Sequence, residues 1–179
     1  MDTDFLKTCD ILLYQGTSLT SRLIRWGTKS PYSHVAVVVH REMNLAIESN
    51  TGHQAGVRAL DLRKLDGEKI HVFRIRDEFL FDPKKVISYL VSRLGSDYDT
   101  GGVAYLGILK LLRLRHAANR FQKEKDYFCS ELVYEAFEAA GLDIIPQVNE
   151  ADITSPGDIA QSAVLQRVPE RAERPLSHA

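Results

Sequence analysis

Cysteine is almost absent from this chain: its 179 residues include two, Cys9 and Cys129. Two thiols cannot make the framework of a disulfide-stapled secreted domain, and a bridge between them is not the expectation. Long apolar runs are missing as well. The longest, such as Val35 to Val39, fall far below the ~20 residues of a membrane span. Neither sign of charge dominates, with 23 Lys+Arg against 24 Asp+Glu and a net charge of −1. So even a balance gives no global attraction to nucleic acid, which is not expected as a partner, although a local patch escapes that reasoning. Met1 to Asp10 carries three acidic residues and no apolar core, unlike a Sec signal. Cytoplasmic residence is the default expectation, with leaderless secretion as an effector the alternative. No His/Cys/Asp/Glu group has metal-ligand spacing. There is no phosphate loop, dinucleotide fingerprint or Gly-x-Ser-x-Gly elbow either. Neither a metal nor a cofactor is expected.

What is present is ordinary for a globular domain: 44% hydrophobic and 26% charged residues, in a length that suits one domain. We place that domain at residues 1–170, with a polar, aperiodic tail over 171–179. Asp10-Ile11-Leu12-Leu13-Tyr14, closed by Gln15-Gly16, reads as a buried strand and turn. Leu19, Leu23 and Trp26 at helical spacing behind Ser18 predict a short helix. His34 to His40 is an unbroken β-branched run and predicts a central strand. Leu45 to Glu48 is its hairpin partner, with Met43-Asn44 near the turn. Gly56 to Leu60 and Lys69 to Ile75 are two more strands. Asp82-Pro83 opens a helix to about Leu94, closed by Gly95. Val103 to Leu114 and Phe128 to Ala140 are helical, the second ended by Gly141. Ser155-Pro156-Gly157-Asp158 starts a last short helix, and Ala163 to Val168 is a final strand. Strands cluster first and helices second, which predicts an α+β fold.

Three residues have the chemistry of a nucleophilic site. Cys129 opens a strong helix, where unpaired backbone N–H groups and the positive end of the macrodipole favour thiolate and can hold an oxyanion. Taken alone, a cysteine is more often a small buried apolar residue. His34 begins the most apolar strand, where it is held rigidly and can serve as general base. Taken alone, it reads equally well as a hydrogen-bonded strand-end histidine. Glu48 ends the adjacent strand and is the acid in this region suited to orient the imidazole. Strict register about Met43-Asn44 places it level with residues 38–40, so a bulge or a longer loop is needed to bring it beside His34. Of the other histidines, His71 alternates with apolar neighbours and is expected to face solvent.

The order Asp10 to Tyr14, Tyr32-Ser33-His34-Val35-Ala36-Val37, Ile47-Glu48, Gly95-Ser96-Asp97-Tyr98-Asp99, Phe128-Cys129-Ser130-Glu131-Leu132-Val133 and Ser155 to Ile159 resembles the circularly permuted branch of the NlpC papain-like superfamily. That branch holds the YiiX/YebB-like proteins and, more distantly, lecithin retinol acyltransferase. The resemblance spans roughly residues 9 to 168. It implies a permuted papain-like fold, an antiparallel sheet or small barrel packed against helices. It also implies Cys129 as nucleophile, His34 as base and Glu48 as third polar residue, with Tyr98 of Gly95-x-x-Tyr98 as a substrate or oxyanion contact. Relatives show Gly-Asp where this chain has Cys9-Asp10.

The segment 108–125 combines Lys110, Arg113, Arg115, Arg120, Lys123 and Lys125 with Ile108, Leu111, Leu112 and Leu114. It reads first as a solvated basic face and second as an amphipathic helix for peripheral membrane contact. The expected activity is cysteine-dependent hydrolysis of amide bonds, in cell-wall peptide or a small acyl amide, through an acyl-enzyme. The alternative is lipid acyl transfer or ester cleavage at the same residues. A further alternative from another class is an inactive binding domain. Expected partners are thus a peptide-like, acyl-amide or lipid substrate, with room for a secretion or inhibitor partner.

Overall fold

The computed structural model describes residues 3–50, 55–65, 69–96, 129–147 and 154–169. It is α+β, with one six-stranded sheet in the order β4-β3-β2-β1-β5-β6. The strands are β1 Ile11–Tyr14, β2 His34–His40, β3 Leu45–Asn50, β4 Gly56–Asp61, β5 Ile70–Ile75 and β6 Leu165–Val168. Every neighbouring pair is antiparallel. Among the described residues the sheet is open, with β4 and β6 at its edges, not a closed barrel. The helices are α1 Leu19–Thr28, α2 Pro83–Ser92, α3 Cys129–Glu138 and α4 Pro156–Ala160.

Local chemistry sets the helix ends. The Ser18 hydroxyl accepts the N–H of Ser21 to cap α1, and Asp82 caps α2 ahead of Pro83, each satisfying an orphan donor of the first turn. Ser155 and Asp158 form a reciprocal capping box on α4. Gly95 and Gly141 follow α2 and α3 with φ of +84°, the left-handed conformation that a glycine adopts without Cβ strain.

The sheet buries both faces. Leu13, Val35, Val37, Ile47 and Phe73 pack with Leu132, Val133, Ala136 and Phe137 of α3 and with Val86 and Leu90 of α2. Leu12, Ala36, Val38, Ala46 and Val72 turn the other way, onto Leu6, Leu62 and Leu65. This two-sided burial is why the central strands β1 and β2 read as continuous apolar runs, not as alternating ones. Helix α3 lies against β2, β3 and α2, which carries its first residue, Cys129, to the sheet.

The N-terminal segment is fastened by a buried ion pair. The Asp10 carboxylate accepts Arg74 Nε at 2.7 Å and Arg74 Nη2 at 2.6 Å, and also the Lys7 N–H at 2.8 Å. Arg74 Nη2 donates in addition to the Phe5 carbonyl.

Each described strand and α-helix agrees with the sequence reading to within a few residues, while the short 3-10 helix Leu62–Leu65 was not anticipated. The expected helix over Val103 to Leu114, the segment 108–125 and the tail 171–179 lie outside the described residues. One reading of a side chain is corrected. His71, expected to face solvent, is half-buried, and its Nδ1 lies 2.7 Å from the Tyr32 hydroxyl. Its partner comes from a position 39 residues away, so alternation along β5 carried no sign of it.

Candidate active site

The site begins with a register. Ala36 pairs with Glu48, Val37 with Ile47 and Val38 with Ala46, and the pairing then shifts so that His40 meets Leu45. The irregularity between Val38 and His40 is a bulge of the kind that re-aims a strand, and Asn44 supports the turn with a φ of +52°. Together they carry Glu48 below the level that strict pairing about Met43-Asn44 assigns it. Glu48 ends diagonal to His34 on the same face of the sheet.

The contact is direct. His34 Nε2 lies 2.8 Å from Glu48 Oε2. Glu48 Oε1 accepts Arg58 Nε at 2.9 Å, Arg58 Nη2 at 2.8 Å and Asn50 Nδ2 at 3.2 Å. Arg58 stands opposite Glu48 across the β3–β4 pair, a cross-strand charge pair. Burial alone would raise the Glu48 pKa. The His34 and Arg58 partners outweigh it and hold the carboxyl at about 2, so Glu48 is an anion through the neutral range.

The other side of His34 meets the helix start. Cys129 lies near enough to act on the imidazole electrostatically, as Glu48 does. With Nε2 committed to Glu48, Nδ1 is the nitrogen left for the thiol. Burial alone would lower the imidazole pKa; Cys129 and Glu48 reverse that and push it up to about 10. The ring is steadied by Tyr14, whose centroid is 5.1 Å away at a 57° tilt. Cys129 is the first residue of α3, among the backbone N–H groups of the first turn that have no intrahelical acceptor. It is 5% exposed. A cavity of about 420 Å³ opens beside His34 and Glu48, with Ser18, Ser21 and Ile24 of α1 and Asn50, Arg58 and Lys64 among its lining residues.

The structure thus brings His34, Glu48 and Cys129 together. Tyr98 lies outside the described residues. Three contributors escape the sequence reading: Tyr14, Asn50 and Arg58. For Arg58 a signal existed, an opposite charge that meets Glu48 once β3 and β4 are aligned as a hairpin. For Tyr14 none did, because its contact with His34 depends on the β1–β2 pairing.

The two cysteines are both free and differ in environment. Cys9 sits at a φ of +68°, a left-handed position that costs a non-glycine residue about 1 kcal/mol. Burial, followed by the neighbouring Asp10 carboxylate, pushes its thiol up to about 12. Thiolate fraction sets alkylation rate, so Cys9 is expected to stay unmodified near neutral pH while iodoacetamide labels Cys129. Peptide mapping after a short exposure reads both sites, and equal labelling would contradict the assignment of Cys129 as the activated thiol.

No family model matches this chain, and no curated protein matches it in sequence. Among solved structures, it is similar to the crystal structure of yiiX from Escherichia coli O157:H7, described as a metalloprotein with the label DUF1105. The TM-score is 0.66 at 17% identity, over 92% of this chain and 97% of that one. At that identity the likeness is one of fold, and the fold is of the YiiX type.

Proposed function

We propose that the chain is a cysteine-dependent hydrolase that opens an amide bond through an acyl-enzyme, on a permuted papain-like fold. The observation that carries this reading is the His34 ring hydrogen-bonded to Glu48 at 2.8 Å, with Cys129, the first residue of α3, close enough to act on the same imidazole. His34 takes the thiol proton at Nδ1, and the sulfur attacks the carbonyl carbon. The N–H groups of the first turn of α3 stabilise the oxyanion. When the C–N bond breaks, the imidazolium returns its proton to the leaving amine. Water then attacks the thioester, with His34 as base, releasing the acid and the thiol. Glu48 fixes the tautomer and supports the imidazolium. Arg58 holds the other carboxylate oxygen, so Glu48 cannot swing away. Cell-wall peptide and small acyl amides are the substrate classes we favour.

The yiiX description raises a metal. The described residues do not fit one. No group of three or more His, Cys, Asp or Glu among them is placed to hold an ion. Glu48, the carboxylate nearest the site, directs its oxygens to His34, Arg58 and Asn50. No step is therefore routed through a metal.

Lipid ester cleavage or acyl transfer at the same residues is the second reading. It is favoured by the apolar outer face of α1, whose inner side walls the cavity. Intact-mass spectrometry after incubation with muropeptides and, separately, with phospholipids tests both. A mass added to Cys129 by the peptide supports amide chemistry, a fatty-acyl mass supports lipid chemistry, and no adduct or turnover with either overturns the hydrolase reading.

The raised imidazole pKa gives a pH prediction. The reactive form carries a protonated His34, so activity persists above its ordinary value of 6.5 and falls as pH approaches about 10. Glu48→Gln removes an anion that stabilises the imidazolium, so the alkaline limb of kcat/KM moves to lower pH. A limb unmoved by that substitution would show that Glu48 does not act on His34.

A further inference from the structure

Helix α1 is built unlike the other helices. Its apolar periodicity does not face the core: Leu19 is 77%, Leu23 67% and Trp26 66% exposed. At 100° per residue these three fall within a sector about 60° wide, with Arg22 along its flank and Lys29 as the left-handed cap just past the helix end. Both cations are exposed. The inner side, Ser21 and Ile24, forms part of the cavity wall that also includes His34 and Glu48. From residue 11 to residue 41 the chain has no Asp or Glu and carries Arg22, Arg25, Lys29 and Arg41. Arg25 turns back to donate to the Gly16 carbonyl and Arg41 pairs with Asp4 and Glu42, so the cations that α1 offers to solvent are Arg22 and Lys29.

We propose that α1 is an interfacial helix that seats the protein on an anionic phospholipid bilayer, with the mouth of the His34–Glu48 cavity beside the membrane. Leu19, Leu23 and Trp26 enter the boundary between headgroups and acyl chains. The indole belongs at that depth, with its ring among the lipid and its N–H toward water. Arg22 and Lys29 meet anionic phosphates, and α1 itself carries no acid that would repel them. Three apolar side chains suit reversible, salt-sensitive docking. The length of α1, from Leu19 to Thr28, is too short for a span, and no helix among the described residues is long and apolar enough to cross a membrane. A soluble partner protein or a second copy would also cover the apolar residues. The exposed cations Arg22 and Lys29 and the aromatic at the apolar edge select the bilayer. Docking goes beyond the chemistry assigned to Cys129 and does not depend on it.

Trp26 is the sole tryptophan of the chain, so its emission reports on α1 alone. The full-length protein is mixed with vesicles of phosphatidylcholine and of phosphatidylcholine with about 30% phosphatidylglycerol. The expected result is co-sedimentation with the anionic vesicles, a blue shift of Trp26, quenching by brominated acyl chains, and release by salt. Leu19→Ser with Leu23→Ser, at two exposed positions where folding is unaffected, is expected to weaken the partition at least about tenfold. Cys129→Ala is expected to bind like wild type, which separates docking from catalysis. No vesicle binding overturns the proposal. So does binding without a change in Trp26 emission. A blue shift that grows with protein concentration in the absence of lipid also overturns it, because α1 is then an interface between copies.

Discussion

Cys129→Ala is expected to lower turnover by about four orders of magnitude or more, on whichever substrate class acylates the wild-type protein, while leaving the fold in place. The substitution deletes one atom from a small, mostly buried side chain, for which the packing loss is on the order of 1 kcal/mol. The sulfur is the atom that bonds to the acyl group in the proposed route, and alanine puts no nucleophile in its place. The same reasoning predicts that His34→Ala costs nearly as much, and that the double variant is little worse than either single one. A nucleophile and its base act as a unit, so their deletions do not add. Steady-state kinetics on the three variants, with thermal melts as the folding control, read this directly. Turnover unchanged in Cys129→Ala removes the nucleophile assignment.

Asp10→Ala is expected to be strongly destabilising, at about 3 kcal/mol. The Asp10 side chain is 1% exposed and that of Arg74 is 21%. Removing the carboxylate frees a guanidinium that can recover water on its outer side, so the cost falls at the lower end for a broken buried pair. It also leaves the Lys7 N–H without its acceptor, at a further cost. For a chain of this length the melting temperature should fall by about 6–12 °C. Arg74→Met should cost more than Asp10→Asn, because it strands the carboxylate, the more deeply buried partner. Circular-dichroism melts on the three variants settle the order, and melts within 2 °C of wild type (roughly the resolution of the comparison) would show the pair to be dispensable.

The elements were legible because their signals are local. Ser18 ahead of the Leu19/Leu23/Trp26 spacing, Asp82-Pro83 and Ser155-Pro156 mark helix starts through hydrogen bonds made within three residues. The β-branched run from His34 could be little other than a central strand. Of the candidate site, the pairing of His34 with Glu48 was legible, and its register was not. Strict hairpin pairing sets Glu48 too far along β2, and the four-residue turn and the bulge between Val38 and His40 that together correct it leave no mark in composition. Contacts made across long stretches of chain stayed hidden for the same reason: Arg74 on Asp10 and Tyr32 on His71. Helix α1 shows a different limit. Periodicity at 3.6 residues says that a helix forms, and nothing in it says whether protein covers the apolar side.

The β2–β3 bulge has a consequence for how this chain tolerates insertion and deletion. Side chains alternate sides along a strand, so removing one residue between His40 and Leu45 either slides Glu48 along β2 or turns it to the opposite face. In both cases the imidazole loses its carboxylate while the hydrophobic pattern stays plausible. The length of an outwardly unremarkable surface turn is therefore as constrained as the identity of the residues it aligns.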